Sequence, residues 1–173
     1  MKLALKWFLP ITLVAMGLAW ASEQVAVLLG FDPPSPQPLV QLFTNPNIAW
    51  QKKAGFAAWA VIAAPIYEEV IFRLGLFNFL RWVRKMYDVE RFKRRGVGRP
   101  EPRTGFPVVS ALVSGAVFAA VHFHAATFAP LWFLGVAFAW LYWRGGTILS
   151  PMLCHFLFNL VQLCLCLLVG ADG

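Results

Sequence analysis

Three short patterns hold most of the polar chemistry in the apolar part of this 173-residue chain. The first is Glu68-Glu69-Val70-Ile71-Phe72-Arg73, set between the uncharged runs 54–64 and 74–80. The second is Phe118 followed four residues later by His122, and the third is His155 followed four residues later by Asn159. Such a set suits hydrolysis. A carboxylate beside an imidazole can hold a water and take its proton. An imidazole and an amide together can donate hydrogen bonds to an oxyanion. No serine or cysteine nucleophile has to be invoked.

Spacing assigns roles within the first pattern. On a helix Glu69 and Arg73 are four apart and share a face, where they can pair. Glu68 is turned about 100° from Glu69, so it is free to point into the interior of a bundle. An ionised group at bilayer depth costs several kcal/mol unless it is paired or wet, so these three charges call for a function. A buried ion pair alone would account for Glu69 and Arg73 and leave Glu68 unexplained.

The elements that must position these residues are membrane helices. The chain is 60% hydrophobic and 13% charged, a composition for several spans and not for a soluble core. Sixteen Phe and eight Trp suit lipid-facing surfaces and interfacial belts. The formal charge of +7 is concentrated: residues 81–103 hold nine Lys/Arg against three Asp/Glu. That density is a topology signal, places 81–105 on the cytoplasmic side, and argues against nucleic acid as a partner. It also offers a site for anionic lipid between Arg81 and Arg103.

The expected fold is all-α: a polytopic membrane helix bundle of about five spans. Residues 1–21 form a first helix; Lys2, Lys6 and the small residues Ala19 and Ala21 also fit a cleavable signal, which would leave four spans. The prolines at 33, 34, 36, 38 and 46 make 22–53 an extracytoplasmic connection. The second span, about 54–80, carries the acidic pattern, and Pro65 should kink it and free nearby carbonyls. It is expected to run on as a surface-lying amphipathic helix and to break into a loop at Gly96–Pro107. Further spans are expected at about 106–125, 128–143 and 147–169. The third carries His122 at mid-depth, and its Ser110, Ser114 and Gly115 suit close packing. His124 is expected at the outer helix end, away from the core site. Cys154, Cys164 and Cys166 read as small apolar packing residues.

In that order on successive membrane helices, Glu-Glu-x-x-x-Arg, Phe-x-x-x-His and His-x-x-x-Asn resemble the CAAX protease and bacteriocin-processing family of intramembrane glutamic endopeptidases. The resemblance covers roughly residues 54–170. It implies that Glu68 and His122 activate the water and that His155 and Asn159 stabilise the oxyanion. It implies supporting roles for Glu69, Arg73 and Phe118, with no metal and no cofactor. The substrate implied is a membrane-associated or C-terminally tailed protein. The chain is shorter than eukaryotic CAAX endopeptidases, which favours a bacterial relative in the inner membrane over one acting on prenylated substrates.

Other readings compete. Glu68, His122 and His155 could bind zinc, although His-Glu-x-x-His is missing and Arg73 would oppose a cation. A serine protease built on Ser114-Gly115 lacks the glycine it needs where Leu112 stands. Cys154 and His155 are helix neighbours facing different ways. A non-catalytic immunity or binding protein, or a proton relay, would also use intramembrane Glu and His.

Overall fold

The structure is a computed structural model that describes residues 1–30, 41–43, 45–96, 105–123 and 125–171. It is an all-α membrane bundle with no strand among the described residues. Helix α1 is Lys2–Leu28. Helix α2 is an uninterrupted helical run over 50–94. Its parts are the α-helical Trp50–Ala58, a π-helical turn at Trp59–Ala63, the α-helical Ala64–Glu69, a second π segment at Val70–Phe77, and the α-helical Asn78–Arg94. Helix α3 is Val108–Ala120, α4 is Phe128–Gly145 after a short 3₁₀ turn at Ala125–Thr127, and α5 is Leu149–Ala171.

Several boundaries differ from the sequence expectation. Helix α1 runs to Leu28, well past Ala21, because Ser22, Glu23 and Gln24 do not break a helix. Helix α2 continues through Pro65, as one span over 54–80 requires, but widens ahead of it into a π turn, in which the Ala64 amide bonds Trp59 O. Helix α3 ends at Ala120, so His122 lies in the following turn and not within the helix. His124 and the prolines at 33, 34, 36 and 38 lie outside the described residues.

Two helices, Lys2–Leu28 and the Leu149–Leu168 part of α5, are each long and apolar enough to cross a membrane. Large apolar side chains face outward along the bundle, among them Leu9, Leu13, Trp59, Ile66 and Leu167, as a lipid-facing surface requires. Inside, Ala4, Ile11 and Ala15 of α1 pack on Leu134, Phe138 and Leu141 of α4 and Cys154 of α5. Trp7 meets Trp140 edge-on at 5.0 Å.

The tightest packing joins α3 to α4. A Cβ on Gly135 would lie 2.6 Å from Gly115 Cα, and one on Gly115 would lie 3.0 Å from Trp132 O. Between apolar lipid and apolar side chains, this close backbone approach is what supplies van der Waals attraction. Gly135→Ala should therefore push the pair apart and cost about 1–3 kcal/mol. Gly17→Ala, where the new methyl meets nothing within 4 Å, should be neutral. Thermal unfolding of the two variants in detergent checks the contrast.

Candidate active site

The site is built around the Glu69 carboxylate, which is fully buried. Its Oε2 lies 2.9 Å from Arg73 Nε, one helical turn on, in a charge–charge contact and not a straight hydrogen bond. Its Oε1 lies 3.0 Å from His155 Nδ1 on α5. An ionised carboxylate only accepts, so the proton of that contact sits on Nδ1 and Nε2 faces outward. Nε2 then faces Glu68, whose Oε2 is 3.7 Å away and whose side chain is 24% exposed. The two carboxylates therefore do not serve separate faces: both address the same imidazole, one at each ring nitrogen.

Arg73 is as deeply buried as its partner. Its two terminal nitrogens have no hydrogen-bond acceptor among the described residues. Three aromatic rings surround the guanidinium instead: Phe118 at 5.1 Å, Phe138 at 5.5 Å and Phe72 at 6.0 Å from its central carbon. Ring faces carry negative potential, and out of water that attraction is worth about 2 kcal/mol or more.

Phe118 is the hub of these rings. It meets Phe72 edge-on at 5.2 Å and touches both imidazoles, His122 at 4.9 Å and His155 at 6.0 Å. Phe138 stacks on His155 at 4.8 Å. In the turn after α3, His122 places Nδ1 2.7 Å from Phe118 O. A carbonyl accepts, so Nδ1 holds the proton and Nε2 is left with its lone pair. The next residue, Phe123, has φ +52°, which is strained for a bulky side chain and holds this turn in an uncommon shape.

The second imidazole motif divides. His155 joins the two glutamates, whereas the Asn159 amide, one turn further along α5, donates to Ala60 O at 2.8 Å. Sequence reasoning missed Phe138, Phe72 as a ring partner and Ala60, which are apolar residues among many. Ser114, read as a small packing residue, is buried and donates to Phe72 O at 3.3 Å. Its hydroxyl was the one available signal.

The chain matches the type II CAAX prenyl endopeptidase Rce1-like family over residues 50–161, a stretch that holds every residue of the site. It belongs to that family, and is accordingly a membrane protein and a protease of the CAAX type. No curated protein and no solved structure matches the chain.

Removing Arg73 would strand a buried carboxylate. Arg73→Met should cost about 3–5 kcal/mol and lower the amount of protein in the membrane. Glu69→Gln added to the same chain should recover much of that loss, because the amide oxygen still accepts from His155. Membrane abundance and unfolding temperature of the single and double variants check this.

Proposed function

We propose that the chain is an intramembrane glutamic endopeptidase that cuts a membrane-associated or C-terminally tailed protein. The observation that carries this reading is the Glu69–His155–Glu68 arrangement, with contacts of 3.0 Å and 3.7 Å at the two ring nitrogens. Glu69 orients His155, and Glu68 remains partly accessible to accept a proton from water. His122 Nε2, left as an acceptor by the bond from Nδ1 to Phe118 O, is the second group on the water. Protonated at Nε2, His155 is a donor for the tetrahedral oxyanion, in a place where hydrogen bonds are strong because water is scarce.

The balance of charge supports this assignment. Glu69 and Arg73 cancel, so Glu68 and His155 are neutral together when Glu68 and Nε2 hold one proton between them and the Nδ1 hydrogen stays on Nδ1, donated to Glu69. The glutamate can then take the proton of the water while the imidazole supports the oxyanion, with nothing further drawn from solvent.

The proposed setting is a multi-pass protein of a bacterial inner membrane, with the basic α2 extension inside. On that side Arg84 and Arg91, with Asp88 between them in sequence, stand with Val83, Val109 and Val113 around a groove of about 500 Å³. Guanidinium groups over an apolar floor at the interface suit an anionic lipid. Arg84→Gln with Arg91→Gln should reduce the anionic lipid that copurifies, as read by native mass spectrometry.

The test of the peptidase reading maps protein ends in membranes and medium from cells carrying the wild type, Glu68→Gln, or no copy. One or a few cleavages should disappear in both the variant and the null, with variant abundance unchanged. His122→Ala and His155→Ala should abolish the same cleavages, and chelators should leave them intact. A Glu68→Gln strain that matches wild type while the null differs would instead favour a non-catalytic immunity or binding protein. Loss of cleavage on chelation would favour the zinc protease.

A further inference from the structure

Pro65 leaves one backbone carbonyl of α2 without a partner in its own helix. In α register the donor to Ala60 O would be the Ala64 amide, but that amide bonds Trp59 O in the π turn. In π register the donor would be residue 65, and a proline has no N–H. The carbonyl therefore has no intrahelical donor in either register. Inside a membrane such a group costs several kcal/mol unless another side chain reaches it. Asn159 does so: its Nδ2 donates to Ala60 O at 2.8 Å. Because a carbonyl only accepts, the amide turns its nitrogen toward α2 and commits one of its two N–H groups to this bond.

The consequence reaches the site. Residues 64–69 lie between the two π segments, and their orientation depends on how the first widened turn is held. Helices α2 and α5 run antiparallel here, with Ala60 beside Asn159 and the glutamates beside His155. Fixing Ala60 to Asn159 fixes the register in which Glu68 and Glu69 meet the imidazole. We propose that Asn159 is a positioning residue, which holds the carbonyl bared by Pro65 and so presents Glu68 and Glu69 to His155. The proposal rests on the peptidase reading only for its rate measurement.

A double-mutant cycle between Asn159 and Pro65 separates this role from that of an oxyanion donor. Pro65→Ala returns an N–H to residue 65 that can reach Ala60 O in the existing register. In the wild-type background Asn159→Ala should lower kcat by on the order of tenfold, the worth of one buried hydrogen bond. In the Pro65→Ala background the same change should cost less than about threefold, because the carbonyl is already served. An oxyanion donor would lose about 10²–10³ in both backgrounds, and an equal fall in the two would overturn the proposal.

The cycle is read a second time without substrate, as unfolding temperature in detergent, where Asn159→Ala should be destabilising only with the proline present. That readout stands even if the chain proves not to be a peptidase, so failure of the one reading is not mistaken for failure of the other. Pro65→Ser restores the same N–H and replaces Pro65→Ala if the alanine variant does not accumulate. The carbonyl ¹³C resonance of Ala60 provides a third measure. It should shift on Asn159→Ala, and no shift would show that the amide does not hold this carbonyl.

Discussion

Each oxygen of the Glu69 carboxylate is committed to a different partner, Oε2 to Arg73 and Oε1 to His155, with no exposure to solvent. A charge at this depth cannot be left to fluctuating water, so both contacts must persist for the helices around it to stay assembled. The arginine comes from the same helix and the histidine from α5. The rings around the arginine come from α2, α3 and α4. One carboxylate thereby fixes the relation of four helices, and it does so where lipid gives apolar contacts little advantage over one another.

The irregular course of α2 follows from the same economy of polar groups. A π turn widens the helix and displaces carbonyls from their usual donors, and such turns recur at functional sites. Beside the first of them Asn159 donates to Ala60 O, and within the second Ser114 donates to Phe72 O. Just after the second, Asn78 donates to Leu74 O and to the Tyr142 hydroxyl. Each polar side chain that reaches α2 from another helix thus lands in or beside a widened stretch. Irregular backbone at membrane depth is tolerated where neighbouring helices satisfy it, and here α3 and α5 do.

What could be read from sequence follows this division between polar and apolar. Charges in an apolar run stand out, so the acidic pattern, its pairing of Glu69 with Arg73, and the all-α class were legible. The π turns were not, because hydrophobic periodicity does not report which carbonyl an amide chooses. Phe138 was invisible for a related reason: nothing distinguishes one phenylalanine of an apolar helix from the next until a charge is seen to lie against it. The end of α3 was also hidden, since Val121 and Phe123 around His122 are as apolar as the helix before them and no glycine or proline marks the stop. His155 was legible as a polar residue at depth, but its place between two glutamates depends on the α2–α5 register, which no local pattern encodes.

That register also explains how two adjacent glutamates can differ. In sequence they are equivalent neighbours; in the bundle one is sealed and the other is 24% exposed. Sealing Glu69 against Arg73 makes it a fixed charge, so it is better suited to orienting an imidazole than to exchanging a proton. Glu68 has no such partner and faces the ring nitrogen that Glu69 leaves open. The separation of 3.7 Å is too long for a direct hydrogen bond, so Glu68 is not committed to the imidazole as Glu69 is. On the peptidase reading Glu68 is thereby left to take the proton of the attacking water, while Glu69, fixed by Arg73, holds the imidazole in place.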